Sequence, residues 1–135
     1  MRAAGADVII ALCHSGIGGE AHTPGMENAA IPLAGIDGID VVLTGHTHEQ
    51  FPGHDRAAND VVDPVAGTLH GKPAVMAGFY GNRLGMVDLH LRWENGAWHI
   101  ARYRVTLEKG EDEAPQTKPL RDRIAASANL SLIHI

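Results

Sequence analysis

The chain has 135 residues, 44% of them hydrophobic and 20% charged, with a formal net charge of −5; these are values of a folded domain and exclude wholesale disorder. An acidic balance with only 4% aromatic residues supplies neither the basic surface a nucleic-acid polymer requires nor a row of base-stacking platforms. No apolar run approaches the ~20 residues that span a bilayer, so no membrane partner is expected. The single cysteine closes no internal disulfide.

Met1 to Asp7 reads as the closing turn of a helix ended by Gly5. A chain that opens on such a turn is expected to lack the part of its domain that comes before. Val8 to Cys13 is a continuous, β-branched apolar run, which predicts a strand buried on both faces. A glycine-rich loop follows from His14 to Pro24. Glu27 to Ala34 has helical spacing, with Met26, Ala30 and Leu33 on one side, Gly35 as the stop and Pro32 close to the first turn. Asp40 to Thr44 is a second buried strand, so strand, helix and strand form a βαβ unit with the two strands parallel.

Gly45 to Lys72 carries only short apolar stretches and is expected to be mostly loop. Pro73 to Ala77 is a third strand, with Gly78 and Gly81 around a turn. From Met86 the pattern alternates, Val87, Leu89, Leu91 and Trp93 against Asp88, His90 and Arg92, as in a half-exposed strand. Asn95-Gly96 predicts a type I′ hairpin turn into a return strand from Trp98 to Leu107. Residues 108–129 read as a linker leading out of the domain, with a helix expected over Leu120 to Ala128. The last six residues, 130–135, are what a common transposon-end sequencing adapter encodes, and are expected to be a non-native tail.

Chemistry concentrates at two places. Cys13-His14-Ser15-Gly16 follows the first strand, and Gly45-His46-Thr47-His48 follows the second. Functional groups in parallel α/β sheets gather beyond the carboxyl ends of strands, which puts His14, His46 and His48 at one edge. Three imidazoles there suit a borderline divalent metal such as Zn, Mn, Fe or Co. On an extended stretch the two histidines of His-x-His point the same way; on a turn they diverge and can serve two neighbouring ions. Asp40, Glu49 and Glu20 are the nearest carboxylates in sequence that could accept a ligand histidine's second ring N–H. His22, His54, His70, His90 and His99 read as ordinary hydrogen-bonded histidines. Cys13 beside His14 could be a nucleophile, but alternation at a strand end turns Cys13 toward the packed layer.

Cys13-His14-Ser15-Gly16, Glu27-Asn28-Ala29 and Gly38-Ile39-Asp40 leading into Leu43-Thr44-Gly45-His46-Thr47-His48 resemble the later motifs of the calcineurin-like metallophosphoesterases, in their 5′-nucleotidase branch. Phe51-Pro52-Gly53, Gly67 to Met76, Gly78-Phe79-Tyr80-Gly81 and Leu84 to Leu89 are similar to the bacterial members that hydrolyse 2′,3′-cyclic nucleotides and 3′-nucleotides. The resemblance covers residues 1–107 and implies the C-terminal half of an α/β/β/α sandwich metallophosphoesterase domain, with a βαβ unit and a terminal β-hairpin. It implies two divalent cations in the complete enzyme, His14 and His46 as ligands of one and His48 of the other, and a nucleotide as substrate. The family's Asp-x-His, Gly-Asp and Asn-His motifs, and its C-terminal nucleotide-recognition domain, do not match any part of this chain. The chain therefore supplies half of a metal site and no catalytic residue, and alone is expected to be inactive. Periplasmic export is the family's habit, although this chain shows no signal peptide.

Two other classes compete. One is a standalone, non-catalytic metal-binding or interaction module. The other is a mononuclear His-x-His amidohydrolase, which needs a catalytic aspartate at a strand end; Asp63 and Asp88 fit that role poorly.

Overall fold

The structure is a computed structural model and describes residues 1–54 and 56–109. Arg2–Ala4 form a single 3₁₀ turn, and Gly5, at φ 90°, caps it through its N–H to the Arg2 carbonyl. Eight strands and one helix follow: β1 (Ile10–Leu12), α1 (Ala30–Ala34), β2 (Val41–Leu43), β3 (Gln50–Phe51), β4 (Val62–Asp63), β5 (Thr68–Leu69), β6 (Lys72–Ala77), β7 (Arg83–Glu94) and β8 (Ala97–Lys109).

β1, β2 and β6 are parallel neighbours, with Leu12 opposite Leu43 and Leu43 opposite Val75. β3 and β5 add antiparallel to β6, and β4 to β5, which makes a six-stranded mixed sheet. The βαβ unit is as the apolar runs predicted. β2 and β6 are buried on both faces, but β1 is not: it is outermost in the strand order, and Leu12 at its end is exposed.

Two expected elements differ. The helix begins at Ala30 rather than Glu27, because residues 27–29 are engaged elsewhere. Ala29 N–H donates to Ser15 Oγ at 2.7 Å, and Ala30 N–H to the Gly16 carbonyl at 3.1 Å. Pro32 also has no N–H with which to extend the helix backward. The expected loop over residues 45–72 contains three two-residue strands. Elements this short have no readable period, so only their pairing partners reveal them.

One cluster forms the core: Ile17, Ala30, Ile31, Ala34, Val42, Phe51, Val62, Leu69, Ala74 and Met76. The β7–β8 hairpin is a separate two-stranded ribbon. It turns at Asn95 and Gly96, whose φ values of 53° and 81° are those of a type I′ turn. It lies against β6 where Gly85 passes the Val75 side chain, so closely that a Cβ would stand 2.6 Å from Val75 Cγ2. The ladder slips by one residue between His90 and Leu91, a β-bulge that accounts for the imperfect alternation of the return strand. β8 runs to Lys109, so the boundary expected at 107 falls inside a strand; the remainder of the linker, its helix and the tail lie outside the described residues. No helix among the described residues is long and apolar enough to cross a membrane.

Candidate metal centre

Two loops leave the carboxyl ends of adjacent parallel strands, and a third segment ties them together. Cys13 N–H continues the β1–β2 ladder to the Leu43 carbonyl at 2.9 Å. Beyond it the backbone carries His14 outward, and Ser15 becomes a junction. Ser15 Oγ donates to the Glu27 carbonyl at 2.8 Å and accepts from Ala29 N–H, while the Ser15 carbonyl accepts from Thr44 Oγ1. Asn28 Oδ1 accepts from Gly16 N–H at 3.1 Å. Every residue of Glu27-Asn28-Ala29 thus contributes an atom that holds the His14 loop.

Gly16 has a packing role. A Cβ at this buried position would overlap Thr47 Cγ2 and stand 2.6 Å from Asn28 Oδ1. Only glycine lets the first histidine loop touch the residue lying between His46 and His48. Gly19 and Gly45, by contrast, have open space where a Cβ would be.

The second loop is built on unusual backbone. His46 and His48 have φ values of 73° and 61°, the left-handed region uncommon for non-glycine residues. Thr47 N–H closes a tight turn on the Gly45 carbonyl at 2.9 Å. The turn sends the two imidazoles different ways. His46 meets His14 edge-on, ring centroids 5.1 Å apart, and its Nε2 lies 2.7 Å from Glu27 Oε1. His48 instead stacks on Phe79 at 5.5 Å.

His14 and His46 are therefore brought together and His48 is not brought to the same point. Among the described residues no group of three or more His, Cys, Asp or Glu is placed to hold a metal ion. Of the two geometries open to His-x-His, this turn adopts the diverging one, with His46 against His14 and His48 against Phe79. The donor chemistry still fits a divalent cation in part, since a pair of adjacent imidazoles and a carboxylate against one of them are what a borderline metal selects. Two imidazoles are a share of a site, not a closed one.

The carboxylate on His46 is Glu27. None of the three anticipated ones plays that part. Asp40 accepts from Arg2 at 2.7 Å and from Ile9 N–H, Glu49 pairs with Arg56, and Glu20 accepts from Asn59. Glu27 lies 19 residues before His46, a separation that only the βαβ fold closes. Arg56 also escaped notice. Its guanidinium bridges Glu49 Oε2 at 2.7 Å and the Ile17 carbonyl at 2.6 Å, clamping the two histidine loops together.

Cys13 packs half-buried against the core, with Sγ 3.6 Å from the Leu43 carbonyl. Burial pushes its thiol above the ordinary value, more than a hydrogen bond with Thr44 lowers it. That is the behaviour of a structural thiol rather than a nucleophile.

The fold of the chain is similar to the crystal structure of the calcineurin-like phosphoesterase YfkN from Bacillus subtilis, with a TM-score of 0.76 and 34% identity over 95% of this chain and 40% of that one. The chain is a segment of calcineurin-like phosphoesterase fold. Curated relatives include a 2′,3′-cyclic-nucleotide 2′-phosphodiesterase/3′-nucleotidase of Salmonella typhimurium, 39% identical over 84% of this chain and 18% of its own length. Another is the trifunctional nucleotide phosphoesterase protein YfkN of Bacillus subtilis, 41% identical over 80% of this chain and 8% of its own length. The chain spans less than a fifth of the length of the curated relatives it matches. No protein-family model matches the sequence.

Proposed function

We propose that this chain supplies part of the metal centre of a dinuclear phosphoesterase that hydrolyses 2′,3′-cyclic nucleotides and 3′-nucleotides. The observation that carries this is the edge-on pair of His14 and His46 at the carboxyl ends of two adjacent parallel strands, in a chain whose relatives are nucleotide phosphoesterases. His14 and His46 would hold one divalent cation and His48 would contribute to the other. Bound cations of this kind supply Lewis acidity at a phosphoryl oxygen.

The chain's own residues do the positioning. Glu27 fixes the ring of His46 from outside, and Ser15 with Asn28 fixes the loop that presents His14. Arg56 sets the spacing of the two loops. The same proposal makes residues 1–109, to the end of β8, part of the metallophosphoesterase domain, reads residues 110–129 as a linker and puts the full-length protein in the periplasm. The described residues alone offer too few donors for two cations, and the isolated chain is inactive.

The test is hydrolysis of 2′,3′-cyclic AMP and 3′-AMP by the full-length protein loaded with Zn, Mn, Fe or Co. His46→Ala is expected to abolish turnover, and the isolated 135-residue chain to hydrolyse no phosphodiester reporter. A full-length protein whose activity survives both His46→Ala and chelation would overturn the proposal, as would turnover by the isolated chain that His46→Ala removes.

A further inference from the structure

His46 has two ring nitrogens, and the structure commits one of them. Its Nε2 lies 2.7 Å from Glu27 Oε1. Two donors bound to one cation at ~2.0–2.2 Å each stand about 3 Å apart or more, so this contact is a hydrogen bond and not a shared coordination sphere. We propose that Glu27 is a positioning residue: it selects the ring nitrogen with which His46 binds a divalent cation, and so sets how tightly the centre holds it. The inference rests on the metal-centre part of the proposal above and deepens it.

An ionised carboxylate accepts hydrogen bonds and donates none, so Nε2 carries the proton and donates. The neutral ring then has one lone pair left, at Nδ1, and a cation takes neutral imidazole. Nδ1 is therefore the atom left for the cation. A carboxylate behind a ligand histidine also stops the ring rotating and makes it a stronger donor. Without Glu27 either nitrogen can hold the proton, and a share of the molecules would present the wrong edge.

Glu27 is held by its backbone rather than by burial. Its side chain is 73% exposed, and a carboxylate that exposed is ordinarily free to roam. Here the Glu27 carbonyl accepts from Ser15 Oγ at 2.8 Å, and Ser15 Oγ accepts in turn from Ala29 N–H at 2.7 Å. Asn28 Oδ1, between them, accepts from Gly16 N–H at 3.1 Å. One residue is thus tied through its main chain to the loop that presents His14 and through its carboxylate to His46. Among the described residues that carboxylate makes no other hydrogen bond or ion pair. An exposed pair of this kind contributes little to folding, so its effect on the cation can be separated from any effect on stability.

The test is a titration of cobalt(II) into the metal-free full-length protein, followed by calorimetry and by the visible absorption of the bound ion. The binding step lost in His46→Ala marks the site concerned. Glu27→Ala is expected to weaken that step roughly 10- to 100-fold while the urea midpoint of the metal-free protein hardly moves. Glu27→Gln, whose amide oxygen can still accept from Nε2, is expected to recover most of the loss. Glu94→Ala removes another exposed carboxylate, paired with Arg92 at the end of the hairpin, and is expected to bind cobalt as the unsubstituted protein does. Hydrolysis of 3′-AMP by Glu27→Ala should return at raised cobalt, because Glu27 touches neither the substrate nor the reacting atoms.

Cobalt affinity unchanged in Glu27→Ala, Glu27→Gln as weak as Glu27→Ala, or a matching loss in Glu94→Ala would each overturn the role. So would an activity loss in Glu27→Ala that no cobalt concentration restores. Failure of the phosphoesterase proposal has a different signature: an unsubstituted protein that binds cobalt but hydrolyses neither 2′,3′-cyclic AMP nor 3′-AMP. The cobalt titration would then still decide what Glu27 does.

Discussion

Replacing Gly16 with alanine adds one methyl group at the point where the two histidine loops touch. The new carbon would overlap Thr47 Cγ2 and crowd Asn28 Oδ1 at 2.6 Å, the atom that accepts from Gly16 N–H. Overpacking on this scale costs about 1–3 kcal/mol. Alanine also restricts the unfolded chain, which offsets about 0.4–1 kcal/mol where φ is not positive. The net expectation is a loss of about 1–2 kcal/mol, read in urea as a lower midpoint at unchanged m. Thr47→Ser deletes Cγ2, the nearest obstacle, so Gly16→Ala should cost distinctly less in a Thr47→Ser background. The reasoning fails if Gly16→Ala costs less than about 0.5 kcal/mol, or if its cost is identical in both backgrounds, since touching residues must couple.

Arg56→Ala leaves the Ile17 carbonyl without its guanidinium donor in a residue only 3% exposed, and should cost about 1–3 kcal/mol in the same urea assay. Glu49→Ala breaks only the half-exposed ion pair and should cost about 0–1 kcal/mol; equal costs would mean that the carbonyl contact contributes nothing. Leu69→Ala empties a fully buried site in the core and should lose about 2–5 kcal/mol. For Cys13 the sign follows from its raised pKa. The native state holds the thiol proton more tightly than the unfolded chain, so the stability it contributes is intact below the ordinary value of 9.0 and is lost as pH rises through the native one. Urea midpoints measured from pH 8 to 10 should therefore fall less in Cys13→Ala than in the unsubstituted protein, and iodoacetamide should alkylate Cys13 more slowly in the folded than in the unfolded chain.

Elements with a sustained pattern were legible from the sequence. The apolar runs of β2 and β6 and the alternation of β7 need no partner to be recognised, and Asn95-Gly96 states its own turn. Pairing and side-chain reach are different. β3, β4 and β5 exist because β6 offers edges to β3 and β5, and β4 pairs onto β5 in turn. The start of α1 is set by Ser15 and Gly16, more than a dozen residues away. At the candidate site the histidines were readable because a strand end announces where function gathers. Their divergence was not, because left-handed φ at His46 and His48 follows from no preference of histidine. Glu27 belonged to a motif with no stated role, since its nearness to His46 is created by the crossover between β1 and β2. Phe79 was visible as part of Gly-Phe-Tyr-Gly, but nothing in the order of residues announces that His48 lies against it.

His14 and His46 hang from β1 and β2, two rungs of one ladder. Adjacent strands lie about 4.8 Å apart, and the two rings are separated by 5.1 Å. The spacing of the two loops is thus close to that of the strands that carry them, and the left-handed turn at His46 aims its ring toward His14. Exchanging either imidazole for a carboxylate or a thiolate would alter softness, charge and the reach of the donor together. Ion preference here can be retuned by side-chain chemistry, while the origins of the two side chains stay set by the pitch of the sheet.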